Sequence, residues 1–542
     1  MKVLLIQPPI RDFYDTDIRL QPLGLCMLKA VVKKFLPDVE IIVKDYHQGY
    51  GRKTIPYPPE LSYLKEYYPF PDASPFSMFH NFYHFGASFE ELARDVLNER
   101  PDLVGISSLF SPYYREGIAC AREIKRIQDV PVLMGGSHVS ASPLSVLEQS
   151  SVDFIIRGEG ERPLVEFLKA FRAGASLENV PNLGFKREGE PVLNPVEKNF
   201  PVQQLPMADF SDLNKSRYLY EKKPLCFITT SRGCPYRCSF CSVRVPHGES
   251  YQRRLRQDVL SEIRQRYEEG YRVLDFEDDN LTFDKEDFKQ VLEAVIMEFP
   301  AGELRLMAMN GLSYLSIDTE ILSLMKRAGF KSLNISLVTS NAQVLSRLRR
   351  PHSLGKYLAV VDQAHAAGFD IVSYQILGLP YETLDDMANT MALMAALPVL
   401  IGASIFYLTP GCPIASEFPR MTETDIFRSR STAMAIETGD FRRDDLYTLF
   451  VTSRIINFLK GLRLHGQKTT LQEALHEAAE RGSREKLGTE ILQRLLDEKR
   501  LYAGTKKGFE FLPRFRADLF MKVWRKARSV RTLYGGSIDL LS

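Results

Sequence analysis

Short apolar runs alternate with helical patterns in two separate series along this 542-residue chain, and that alternation restricts it to an α/β architecture. In the first series the apolar runs fall at 3–6, 40–43, 103–107, 132–135 and 153–156, with helical patterns at 23–35, 114–128 and 163–171. Near-continuous apolar strands joined by helices imply a parallel sheet covered on both faces. The spacing therefore predicts a doubly wound, Rossmann-like domain over 1–175. Such a sheet binds its ligand at the carboxyl ends of its strands. Residues 176–222, rich in Pro, Asn and Gly, read as an extended linker. The second series has strands at 226–230, 273–277, 306–309, 332–337, 371–377 and 403–407, with helices at 258–269, 285–298, 319–328, 355–367 and 384–397. Six strand–helix repeats predict a partial (β/α)6 barrel over 223–415, with its chemistry at the strand carboxyl ends. Beyond it, 416–542 shows helical patterns without a clear strand series and is expected to form a C-terminal helical domain.

The net charge of +2 gives no reason to expect nucleic acid as a partner. The first nine residues read as a strand rather than a signal peptide, and no apolar run approaches the roughly 18 residues of a membrane span. A cytoplasmic location is the expectation, and disulfides are rare there. Of seven cysteines, three fall within eight positions, which favours a metal site over disulfide pairing.

That cluster is Cys234-Pro235-Tyr236-Arg237-Cys238-Ser239-Phe240-Cys241, a CxxxCxxC spacing directly after the first strand of the second series. Structural zinc takes four ligands, and the sole local candidate for a fourth is His247. An electron-carrying ferredoxin normally uses four cysteines. Three ligands on a four-iron cluster leave one iron open to a small molecule that chelates through an amino and a carboxylate group.

The motif resembles that of the radical S-adenosylmethionine (SAM) enzymes, including the aromatic Phe240 before the third cysteine. The resemblance implies a 4Fe-4S cluster on Cys234, Cys238 and Cys241, and reductive cleavage of SAM to methionine and a deoxyadenosyl radical. It implies SAM contacts from Phe240, from Asp278 or Asp279 toward the amino group, and from Ser336 and Gly378, the last in a turn similar to the family's GxPxET. Ser336-Leu337-Val338 stands where relatives often carry Gly-x-Glu, so contacts there differ. Arg349 is either solvated or within reach of the cofactor carboxylate.

A doubly wound domain ahead of such a barrel resembles the cobalamin-binding subgroup, through Ser107-Ser108-Leu109, Gly135-Gly136-Ser137-His138 and the Gly158-Glu159 of an RGEGE-like segment. By this resemblance those residues contact cobalamin, its nucleotide tail entering the loops after strands three to five. His138 either touches the tail or caps a helix. Cobalamin domains that ligate cobalt through histidine place DxHxxG after the first strand, whereas here that loop has no His. His47, after the second strand, reads as an unrelated surface histidine.

The expected function is cobalamin-dependent methylation of an unactivated carbon in a small-molecule, lipid or peptide substrate. Electrons would come from a reducing donor such as flavodoxin or ferredoxin. The alternatives are a cobalamin-dependent cyclisation, oxidation or rearrangement without net methylation and, outside enzymes, an iron–sulfur redox sensor. The aromatic, Pro-rich stretch 50–85 is either a lid or substrate wall or a packed loop. The basic segment 522–528, with the one Trp, suits a solvated helix face better than a membrane surface.

Overall fold

The computed structural model describes residues 1–14, 21–197, 200–464 and 466–541. They form two compact units. One comprises Met1–Pro56, Phe82–Leu281 and Leu408–Ser429, and the other Tyr57–Asn81, Thr282–Tyr407 and Arg430–Ser542.

The first unit is built on a seven-stranded sheet. All five strands expected from the apolar runs are present and mutually parallel. Lys2–Gln7 lies between Glu40–Asp45 and Leu103–Ser107, followed outward by Val132–Gly135 and Phe154–Ile156. The order reverses beside Lys2–Gln7, which creates the crevice where doubly wound sheets take ligands. Helices Leu23–Phe35, Phe89–Glu99, Tyr114–Ile127 and Glu161–Ala173 supply the connections. The second of these is started by a reciprocal capping box between Ser88 and Glu91.

The expected linker is not structureless. Leu183–Arg187 and Glu190–Leu193 form a hairpin that extends the sheet antiparallel beyond Phe154–Ile156. Its tight turn places Glu188 and Gly189 at φ 52° and 89°, the left-handed pair that two-residue hairpins use. The same unit carries the first two strands of the second series, Lys223–Ile228 and Val273–Phe276, paired in parallel.

The second unit contains the next four strands. Ser332–Val338, Asp370–Leu377 and Leu400–Ile405 form a parallel sheet, and Arg305–Met307 leads into it through a parallel bridge from Leu306 to Phe330. Helices Thr319–Ala328, Leu354–Ala366 and Leu384–Ala395 alternate with them. The C-terminal tail is helical at Arg443–Lys460, Ser483–Glu498 and Ala517–Ala527 but also holds strands. Tyr502–Thr505 and Gly508–Phe511 form a hairpin, and Lys468–Thr470, Ser537–Asp539 and Ser529–Arg531 a small sheet, so short strands accompany the helices of this region. Strands of three or four residues are too short to show periodicity above background.

Two weak signals resolve as packing. In the aromatic stretch, residues 57–81 wrap the helix Arg443–Lys460. Tyr67 donates to Asp444 at 2.6 Å, and Phe76 and Phe79 meet Phe458 and Phe450 at ring distances of 5.5 and 6.2 Å. Leu61, Leu64, Tyr68 and Phe76 are buried, so deleting 55–85 would open the core rather than remove a lid. In the basic segment Trp524 is buried with its indole N–H on the Leu540 carbonyl, and Lys522 and Lys526 pair with Asp385. Among the described residues no helix is long and apolar enough to cross a membrane.

Candidate functional site

The cysteine loop leaves the buried end of Lys223–Ile228 and is closed at its base by a two-residue antiparallel bridge, Ser231–Arg232 against Gln252–Arg253. Gly233 opens the loop at φ 77°, where an added Cβ would sit 2.0 Å from the Ser250 carbonyl oxygen, so only glycine fits. The end of the neighbouring strand Val273–Phe276 holds the base. Asp278, 2% exposed, accepts from the Thr230 amide at 3.0 Å, from the Thr230 hydroxyl at 2.7 Å and from the Ser231 hydroxyl at 2.5 Å. Asp279 accepts from the Gly233 amide at 2.8 Å. The Asn280 amide donates to Cys234 Sγ at 3.5 Å.

None of the three cysteines is in a disulfide; Cys238 is buried and the others half-buried. Burial pushes the Cys241 thiol up to about 11 and raises that of Cys234 as well. A bound iron displaces such protons, because the coordinated form is the thiolate. Among the described residues no three Cys, His, Asp or Glu side chains converge on one point as a single ion would need. A cubane instead takes each thiolate on its own iron, and three thiols on one short loop fit that demand. Phe240 is half-buried between the second and third thiols.

The structure thus separates the two acidic candidates. The Asp278 carboxylate is saturated by the loop's own donors and positions the loop, which leaves the half-exposed Asp279 as the better placed toward a ligand. Replacing Asp278 by Ala leaves three buried donors unmet and is expected to cost about 2–4 kcal/mol of stability. Thermal denaturation reads that loss directly, and the iron content after reconstitution should fall with it.

In the second unit, Ser336 offers its carbonyl to Arg350 Nη2 at 2.9 Å, beside a β-bulge at Leu337 that puts Val338 at φ 73°. Arg349 is exposed at a left-handed helix end, so the guanidinium folded back on this strand end is its neighbour's. Gly378, at φ 77°, has Leu446 and Phe441 at 2.9 and 3.2 Å from the place of a Cβ. The close approach expected of a ligand is made there by the protein's own side chains.

At the carboxyl ends of the doubly wound sheet, the loops after the third and fourth strands are tied together. The Ser108 amide donates to the Gly135 carbonyl at 2.7 Å, and the His138 amide to the Ser108 carbonyl at 3.1 Å. Gly136, at φ 115°, passes so close that a Cβ would lie 2.5 Å from the Ser108 oxygen, whereas Gly135 meets nothing nearer than 3.7 Å. Ser137 begins a short helix after Val132–Gly135, and Ser107 ends the neighbouring strand Leu103–Ser107.

His138 is fully buried, its ring against Tyr114 and its Nδ1 3.1 Å from Ser111 Oγ; it does not cap the helix with its side chain. Burial lowers its pKa to about 4, so the imidazole is neutral. Its Nε2 and the buried Ser108 hydroxyl have no hydrogen-bond partner among the described residues. Two orphaned polar atoms beside the exposed Leu109 and Phe110, next to the strand-order reversal, fit a ligand with both polar and apolar surface, as the cobalamin tail has.

One expectation about this domain is corrected. His47 is not on the surface: it is 1% exposed, edge-on to Phe85, because strands 10–12, 52–55 and 82–85 form a small sheet over it. Glu159 is occupied by the chain itself, one oxygen accepting from His247 Nδ1 at 3.0 Å and the other from the Phe200 amide at 2.8 Å, while the Gly158 amide donates to Ser140 Oγ. The sequence pattern marks no role for Asn280 and suggests a solvated Arg350, whereas the structure sets Asn280 on Cys234 Sγ and Arg350 on the Ser336 carbonyl.

Comparison with known proteins agrees with this geometry. The family model described as Radical SAM superfamily matches residues 228–394, which contain the cysteine loop, and the B12 binding domain model matches 78–168. An uncharacterized methyltransferase of Pyrococcus horikoshii is 26% identical over 320 residues, 58% of this chain and 68% of that one. The cytidylyl-2-hydroxyethylphosphonate methyltransferase of Streptomyces wedmorensis is 24% identical over 418 residues, 70% of this chain and 73% of that one. The solved structure of the radical SAM methyltransferase TsrM from Kitasatospora setae, with cobalamin and a 4Fe-4S cluster bound, superposes with a TM-score of 0.59 over 77% of each chain. At 19% identity, that superposition shows a shared fold. Both domain models match in this order on one chain, so it carries a B12-binding domain followed by a radical SAM domain, and these two domains imply a 4Fe-4S cluster, SAM and cobalamin as cofactors.

Proposed function

We propose that this enzyme methylates an unactivated carbon of a small-molecule substrate. The observation that carries the reading is the presence, in one chain, of a three-thiol loop within the radical SAM match and of a strand-end site within the B12-binding match. When bound, the cofactors supply a hydrogen-abstracting radical from SAM and a transferable methyl group on cobalamin.

The chain's own part is placement. Cys234, Cys238 and Cys241 hold the cluster by three of its irons. Gly233 and Asp279 fix the loop's first turn through the 2.8 Å contact between them. Asp279, with the backbone near Phe240, meets SAM. Ser108, Gly136 and the neutral His138 receive the cobalamin tail, and His138 does not bind cobalt, since its ring is enclosed against Tyr114. No general base is needed at the carbon, because hydrogen abstraction replaces deprotonation. What the fold must supply is reacting atoms held about 3–3.5 Å apart with water excluded. A cytoplasmic location and a flavodoxin- or ferredoxin-type donor complete the reading, and lipid or peptide substrates belong to the same class of test.

The experiment is anaerobic reconstitution, with iron, sulfide and cobalamin measured per chain, followed by turnover with SAM carrying a deuterated methyl group. Methylation yields deoxyadenosine and S-adenosylhomocysteine together and a product that retains the label. Deoxyadenosine without S-adenosylhomocysteine, and a product with no added carbon, would establish a cyclase or oxidase instead. No SAM cleavage by the reduced protein would establish a redox module.

A further inference from the structure

We propose that Glu159 and Glu161, whose segment resembles a cobalamin-binding motif, are positioning residues for the cysteine loop and link the doubly wound domain to the cluster. The inference rests on the reading that the three thiols hold that cluster.

Both ends of the loop are held from this one segment. Ahead of the first thiol, Arg232 turns its guanidinium away from the loop and into the domain, with Nη2 2.5 Å from Glu161 and Nη1 3.7 Å from Glu159. Its side chain is 14% exposed, and those of its two partners are 5% and 6% exposed. Beyond the third thiol, His247 Nδ1 donates to Glu159 at 3.0 Å. The second Glu159 oxygen is anchored by the Phe200 amide. Glu161 is the first residue of the helix Glu161–Ala173, where unpaired amides and the helix dipole favour a carboxylate. Gly158, at φ 68°, brings the segment close enough that a Cβ would lie 3.5 Å from the Pro246 carbonyl.

Buried ion pairs of this kind add little net stability but are costly to break singly, because the remaining charge has no water. They suit positioning. A carboxylate pair two residues apart grips the loop before and after its thiols and fixes the span over which three sulfurs must present themselves. With both Glu159 oxygens and the facing Glu161 oxygen in use, the segment has little left to offer a cobalamin tail.

The test uses the full-length protein, reconstituted anaerobically, as wild type and as Glu159→Gln, Glu161→Gln, His247→Ala and His247→Asn. Bound cobalamin is expected to match wild type in all four. In both glutamine variants and in His247→Ala, chelator-driven iron loss should accelerate roughly 10-fold, the usual lower bound for losing a partner behind a metal ligand. The electron paramagnetic resonance signal of the reduced cluster should shift in the same variants. His247→Asn should restore wild-type behaviour, because its amide nitrogen sits where Nδ1 does. Cobalamin loss with unchanged iron retention in Glu159→Gln or Glu161→Gln would overturn the proposal. Should Glu161→Gln fail to fold, wild-type iron retention in His247→Ala would overturn it equally. A wild-type protein that takes up no iron and sulfide would overturn the underlying cluster reading, a result distinct from any behaviour of the variants.

Discussion

Exchanging Cys234, Cys238 or Cys241 for Ala, singly or together, is expected to abolish deoxyadenosine formation from SAM and the visible absorbance of the reconstituted cluster. Each thiolate serves a different iron, so two remaining ligands do not hold a cubane, and single variants should be as inactive as the triple one. The expected phenotype is specific. Cobalamin content should stay at the wild-type level, since the loops around Ser108 and Gly136 are tied to one another by backbone hydrogen bonds that do not involve the thiols. Cys26, Cys120 and Cys226 provide the contrast. All three are fully buried, with thiols raised by desolvation, and their replacement should cost packing stability while leaving SAM cleavage in the folded fraction intact. Full SAM cleavage by the triple alanine variant would remove the basis of the functional assignment.

A second large effect is expected from Glu382, which follows Gly378-Leu379-Pro380-Tyr381 at the end of the strand Asp370–Leu377. Its side chain is fully buried, with one oxygen taking a long 3.4 Å contact from the Leu379 amide and the other lacking a hydrogen-bond partner among the described residues. Burial pushes its pKa from 4.5 to about 8, against smaller opposing contributions from the Thr339 hydroxyl and nearby amides. A carboxyl whose folded-state pKa is raised keeps its proton on folding while the unfolded chain releases it. Its contribution is therefore fully present below 4.5, declines as pH rises and is lost once pH passes about 8. At about 1.4 kcal/mol per pH unit, moving from about pH 6 to pH 9 should cost the wild type about 2–3 kcal/mol through this group alone. Glu382→Gln, neutral throughout, should match the wild type only below about pH 4.5, exceed it already near pH 6, and exceed it by about 2–3 kcal/mol more near pH 9. Denaturant unfolding of the two proteins side by side at these pH values checks this, and parallel pH profiles would refute it.

The motif reading and the fold agree most closely where information is local. The five strands of the first sheet were legible because each is a short apolar run flanked by helical periodicity. The cysteine loop was legible because ligand spacing on one loop is itself a sequence property. Elements that announce themselves weakly were passed over. The hairpin at 183–193 is marked only by Glu188-Gly189 between alternating residues, and the helix Phe89–Glu99 mainly by its Ser88/Glu91 box.

Side-chain roles behaved differently. Asp278 and Asp279 are adjacent and chemically alike, yet one is buried under three donors and the other half-exposed. Arg349 and Arg350 divide in the same way, one in solvent and one folded onto Ser336. His47 looked like a surface residue until a small sheet from distant segments covered it. Periodicity and spacing act between residues a few positions apart, so strand succession, the ligand trio and hence the cofactor class could be read along the chain. Burial and hydrogen-bond partnership are settled between residues tens of positions apart, as Glu159 with His247 and Thr230 with Asp278 demonstrate. No local pattern encodes those pairings, and only the folded chain could tell the groups that position the loop from those left to meet a ligand.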